Sequence, residues 1–168
     1  MFRSRSLVAV MGFAVLTSVN ALAADALPTE TFKVLTVDLA LEAAQAAIAA
    51  CKSQGYAVTV TVADRSGQPK IVIVRDGPQG VGRESTRRKA YTAAMQRVST
   101  ADFTKRISTP GAFNPAQFDQ NLATGPGGVP IKAGDETIGG IAVAGAPGGD
   151  KDEACAVAGV TKISDRLK

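Results

Sequence analysis

The longest regular pattern along the chain begins at Thr36. From Val37 to Gln54 apolar residues recur at helical spacing, with Leu41, Ala44, Ile48 and Cys51 at i, i+3, i+7 and i+10. This predicts an amphipathic helix that buries that face. Thr36 stands where a cap belongs, Asp38 and Glu42 near the positive end, Lys52 in the last turn, and Gly55 just past the stop. The many alanines predict close packing against a sheet. The period then changes to two, with Tyr56, Val58, Val60 and Val62 alternating with Ala57, Thr59, Thr61 and Ala63. That alternation predicts a strand over 56–63. Asp64 to Pro69 has turn chemistry and Lys70 to Arg75 runs back, so the pair reads as a hairpin.

A glycine-containing connection, 76–82, leads to a second helix expected from Arg83 to Val98. Ser99 and Asp102 open a short third helix through Ile107, which Thr109-Pro110-Gly111 ends. A further helical turn or two is expected between Pro115 and Leu122. Residues 127–132 and 137–144 flank the turn 133–136 as a second hairpin. After the loop 145–149, Asp150 is the expected cap of a final helix, with Asp152 and Glu153 as first-turn acids. The order is helix, hairpin, helices, hairpin, helix. Hairpins imply an antiparallel sheet and segregated helices imply α+β. No internal linker interrupts the pattern, so residues 24–168 read as one domain.

The first 23 residues follow a different rule. Arg3 and Arg5 precede the apolar run Leu7–Leu16, and Ala21-Leu22-Ala23 gives a small-residue cleavage site. This is the pattern of an export signal. The run is shorter than the roughly 20 residues of a spanning helix, although an uncleaved anchor is the competing reading. A periplasmic or secreted location is expected. Arg3 and Arg5 supply two of the four net positive charges, so the basicity of the whole chain implies no nucleic-acid partner. Cleavage leaves no membrane segment.

Composition narrows the chemistry. With 45% hydrophobic and 20% charged residues the chain is globular in type. It contains no His, which removes Ser-His-Asp catalysis, His-ligated zinc and haem held by an imidazole. Cys51 and Cys155 have two readings in an exported chain: a disulfide, or two small buried hydrophobes. Asp64, Asp135 and Glu136 fall in turns, and Asp150, Asp152 and Glu153 are accounted for by helix capping. No catalytic acid–base pair emerges. The glycine-rich stretches 125–128 and 145–149 have neither Walker nor dinucleotide-fingerprint spacing, and Gly139-Gly140 inside a strand points to close backbone approach.

Several segments, in order, carry a likeness to a known family. They are Thr36-x-Asp38-x-Ala40, Asp64-Arg65-Ser66-Gly67, Glu84-Ser85-Thr86-Arg87-Arg88-Lys89-Ala90-Tyr91, Gly127-Gly128-Val129-Pro130, Gly139 through Gly149, and Asp152-Glu153-Ala154-Cys155. Together they resemble the GlcG/HbpS-like haem-binding (haem-degrading) domain, also found at the C-terminus of PduO-type proteins. The resemblance runs from about Leu35 to the end. It implies a profilin-like antiparallel sheet with helices packed on it, and homo-oligomers of two or more chains. It also implies binding of haem or a related tetrapyrrole, with no settled enzymatic reaction. GlcG-type relatives suggest the alternative of an enzyme or accessory protein acting on a small organic acid such as glycolate.

Many relatives carry a His three positions before the acid of the second helix, where this chain has Val81. Haem iron would then need Tyr91, Met95, Lys89 or a hydroxyl; Tyr91 and Met95 form an i, i+4 pair, a spacing that core packing also explains. Arg83, Arg87, Arg88 and Lys89 crowd one stretch against the single acid Glu84. These cations either meet propionates or a small carboxylate, or form a solvated face with Glu84 paired to Arg88. The candidate ligand-binding set is therefore Glu84, Arg87, Arg88, Lys89, Tyr91 and Met95.

Overall fold

The computed structural model describes residues 30–77 and 82–168; the leader 1–23 and Val81 lie outside the described residues. The unit Phe32–Lys168 carries four helices and one four-stranded antiparallel sheet, an α+β arrangement. In chain order these are α1 (Val37–Lys52), β1 (Thr59–Asp64), β2 (Pro69–Ile73), α2 (Gly82–Gln96), α3 (Thr100–Ile107), β3 (Gly128–Ala133), β4 (Glu136–Ala144) and α4 (Gly149–Ile163). The sheet order is β2-β1-β4-β3, so the two hairpins are joined through the β1–β4 ladder, with Val60 opposite Val143 and Val62 opposite Ile141.

Side chains alternate across a strand, and here the two faces receive different partners. Val60, Val62, Ile131, Ile141 and Val143 form one apolar core with Ala43, Ala44 and Ala47 of α1 and Ala156 of α4. The opposite face is built of small residues, with Ala63 and Ala142 against Ala90 of α2. A Cβ at Gly140 would collide with the Ala90 carbonyl and stand 2.9 Å from the Ala94 nitrogen, so the glycine admits the α2 backbone itself. Thr61 and Thr86 share a buried hydroxyl–hydroxyl bond of 2.8 Å across this contact. Thr59 and Thr61 are as buried as their valine neighbours, because helices cover both faces of the sheet.

The expected boundaries shift for local reasons. β1 starts at Thr59, since β4 ends at its partner Ala144 and leaves 56–58 nothing to pair with. α2 stops at Gln96, where Arg97 takes a left-handed φ of 60°. Ser99 caps α3 through its hydroxyl as expected, and the turn after it is a single 3-10 turn, Pro115–Gln117. On α1 the buried stripe is Ala40, Ala43, Ala44, Ala47 and Cys51, whereas Leu41 is 38% exposed. The helix is held by its small residues, which let it approach α4 closely. Asp150 does not cap α4: Gly148 occupies the cap position without a side-chain bond, and Gly149 fits against Pro126. Cys51 and Cys155 are bridged, with sulfurs 2.09 Å apart, and so tie α1 to α4. Among the described residues no helix is long and apolar enough to cross a membrane.

Candidate functional site

The charged stretch of α2 lies beside the segment that leads from the 3-10 turn into β3. Arg87 grips Glu84 with two bonds, Nη2 to Oε1 at 2.7 Å and Nε to Oε2 at 2.9 Å, and Nη2 also reaches Asn121 Oδ1 at 3.2 Å. Arg88 Nη2 donates to the Leu122 carbonyl at 2.6 Å, and Lys89 Nζ to the Pro126 carbonyl at 2.6 Å. Three consecutive cations thus hold three successive points of one segment. Glu84 pairs with Arg87 and not with the expected Arg88, because Arg88 has turned to Leu122. The Arg87 bond holds the Glu84 carboxyl below its ordinary range.

Lys89 and the start of α4 form a second, half-buried group. Burial pushes the Lys89 ammonium down, and burial pushes the Asp152 carboxyl up. Asp152 Oδ1 accepts from the Ala146 N–H at 2.9 Å and Glu153 Oε2 from the Gly127 N–H at 3.0 Å. These two acids therefore fasten the glycine loops and do not serve as plain helix caps. Gly127, at φ 126°, leaves the space where a Cβ would stand 3.2 Å from Lys89 Nζ. Lys89 accordingly holds the fold together at this corner.

Tyr91 packs its ring over Gly67, where any Cβ would strike it, and its hydroxyl donates to Asp119 Oδ2 at 2.8 Å. That bond to Asp119 raises the Tyr91 phenol above its usual value. Asp119 in turn accepts from the Asn121 N–H at 2.9 Å, the first reason its carboxyl is held low. Met95 is 43% exposed and lines neither concavity beside Arg88. The expected Tyr91–Met95 pair is thus divided, with Tyr91 latched to Asp119 and Met95 facing solvent.

Two adjoining concavities of about 540 and 490 Å³ open between α2 and this segment, sharing Glu84, Arg88 and Ala116 in their walls. Both fall in the size range of small-molecule sites, roughly 300–1,000 Å³. Arg88 lines both, and its Nε is buried with no hydrogen-bond partner among the described residues. In the chain, Phe113 and Phe118 flank Ala116, which lines both concavities. Their rings stack 5.8 Å apart at 15°, and they are 73% and 77% exposed. A separate concavity of about 430 Å³ near Tyr56, Val58 and Val74 is rimmed by Lys52, Arg75 and Asp76, and no unpartnered donor is buried there. Among the described residues no group of three or more acids, Cys or His is placed to hold a metal ion.

Residues 35–161 match the model of the haem-degrading HbpS-like proteins. The chain belongs to that family. This HbpS-like chain is 30% identical to a double mutant of HbpS from Streptomyces reticuli, with a TM-score of 0.74 over 95% of this chain and 97% of that one. A second HbpS structure is 34% identical, with a TM-score of 0.75 over 83% of this chain and 97% of that one. The PduOC–haem complex shares the fold at 20% identity, with a TM-score of 0.71 over 78% of this chain and 96% of that one. Among curated proteins nothing matches the chain. Sequence reasoning picked out the α2 side of this cleft and missed the opposite wall, Ala116, Gln120, Asn121 and Leu122. Its one signal was the Phe113-Asn-Pro-Ala-Gln-Phe118 stretch, two aromatics around a proline turn in an otherwise polar loop.

Proposed function

We propose that this chain is an exported haem- or tetrapyrrole-binding protein, and that the ligand sits in the cleft between α2 and residues 114–124. The observation that carries this reading is the buried, unpartnered Nε of Arg88. A desolvated donor on a charged group costs about 1–3 kcal/mol or more when nothing accepts from it. A ligand carboxylate removes that cost and forms a charge-assisted bond. Haem brings propionates for Arg88 and flat apolar faces for the exposed Phe113–Phe118 pair. Family membership, and the binding of haem by PduOC on the same fold, support haem as the carboxylate-bearing ligand.

Export rests on the basic, apolar and small-residue pattern of residues 1–23. The Cys51–Cys155 bridge agrees with an oxidising compartment, where such bonds persist. The test is a haemin titration of residues 24–168, following the Soret band. A saturable shift is expected, weakened about 10-fold or more in Arg88→Ala, the loss of one charge-assisted hydrogen bond. No saturable shift removes the haem reading. Calorimetry with glycolate then tests the small-acid alternative, which the same Arg88 donor favours.

A further inference from the structure

Haem sites draw on axial ligation of iron, apolar contact with the macrocycle, and pairing of the propionates. Resting on the tetrapyrrole reading above, we propose that this cleft uses only the last two, so that metal-free porphyrins are its ligands on equal terms with haem. The strong iron donors of the chain are engaged or lie away from this cleft, and Tyr56 lines the separate concavity near Val58 and Val74. There is no His, and the two Cys are bonded to each other behind the far face of the sheet. The Tyr91 hydroxyl donates to Asp119, and a phenolate in its place would face a carboxylate at hydrogen-bond distance. Met95 is seven residues from Arg88 on one helix, about 10 Å along its axis, and outside the cleft. Met1 and Met11 belong to the predicted leader. Within the cleft the Glu84 carboxylate is held by both Nε and Nη2 of Arg87, and the Lys89 amine by the Pro126 carbonyl. What remains in the walls are the neutral hydroxyls of Ser85 and Thr124 and the amides of Gln120 and Asn121, poor donors to ferric iron.

The features left without partners match the organic part of the ligand. Arg88 Nε offers one charged donor in a desolvated place. Phe113 and Phe118, on either side in the chain of the cleft residue Ala116, present near-parallel rings to solvent, a costly apolar exposure that a planar macrocycle would cover. A carboxylate at Arg88 and a ring face at the phenylalanines describe an amphipathic planar acid. Neither contact involves the metal.

The experiment compares haemin, protoporphyrin and protoporphyrin dimethyl ester on residues 24–168 by calorimetry, with circular dichroism to confirm folding of each variant. Dissociation constants for haemin and protoporphyrin are expected to agree within about 3-fold, and the ester to bind about 10-fold or more weakly. Phe113→Ala with Phe118→Ala is expected to weaken haemin and protoporphyrin alike, and gel filtration to leave the size of the folded variant unchanged. Haemin binding about 30-fold tighter than protoporphyrin would overturn metal indifference and leave the haem reading standing. Failure of both to bind would remove the two together. A change of oligomeric state in the phenylalanine variant would assign the aromatic pair to a second copy of the chain and overturn its role toward the ligand.

Discussion

Tyr91 joins three pieces of the molecule through one side chain. Its ring rests on Gly67 at the β1–β2 turn, its backbone belongs to α2, and its hydroxyl reaches Asp119 in the loop that walls the cleft. The two titrations of this latch bracket a pH window. The Tyr91 value is raised, so its contribution is complete below the ordinary tyrosine value of about 10 and is lost as pH rises through the folded value. The Asp119 value is lowered, so its contribution is complete above the ordinary carboxyl value of about 4 and is lost as pH falls through the folded one. A spectrophotometric titration is expected to show Tyr91 ionising at higher pH than in the urea-unfolded chain, with that step absent in Tyr91→Phe. Ionisation of Tyr91 at or below its unfolded value would mean that the Asp119 bond does not form in solution. Tyr91 itself was legible in the sequence as a candidate. Its partner was not, because 28 residues of loop and helix separate them and nothing local to either announces the pairing.

At the scale of elements, α2 can wall the candidate cleft only because the sheet face beneath it is nearly flat. Gly140, Ala142 and Ala63 put almost no side chain between strand and helix, so the backbone of α2 sits directly on β4. Gly140→Ala forces a methyl against the Ala90 carbonyl. That overpacking is expected to cost about 1–3 kcal/mol and to lower the affinity for a porphyrin, since Arg88 is displaced with the helix. Thermal unfolding and a porphyrin titration of the same variant check both, and an unchanged melting point would show that α2 does not rest on this strand. The elements were readable where period, cap or turn decided them: α1 and the β1–β2 hairpin follow their hydrophobic spacing, α3 its Ser99 cap and β4 the turn before it. The faces were less so. Leu41 falls on the stripe that helical spacing predicts, yet alanines take the buried positions, because close α1–α4 packing selects small residues over large ones. Asp152 is the first-turn acid that the sequence predicts, but its burial and its bond to the Ala146 N–H were not legible, since they depend on the loop before α4.

For the whole molecule, what stayed hidden was the joining of distant parts. The sheet order β2-β1-β4-β3 depends on β1 pairing with β4, and each hairpin alone is consistent with other orders. The resulting layers separate two tasks. α1 and α4 cover one face and are stapled by Cys51–Cys155, across 104 residues of chain. α2 and the cleft occupy the other face. A loop of that length is worth up to about 4–5 kcal/mol when closed, in the chain-entropy account. Cys51→Ser with Cys155→Ser is therefore expected to lower the melting temperature by roughly 10 °C or more in a domain of this size. Porphyrin affinity at 25 °C is expected to change by less than about 2-fold while the variant remains folded, because the sheet stands between the staple and Arg88. Thiol titration of the unreduced wild-type protein gives the independent check. Two reactive thiols would show that the bridge is absent, and a large loss of affinity in the folded variant would show that the two faces are energetically one.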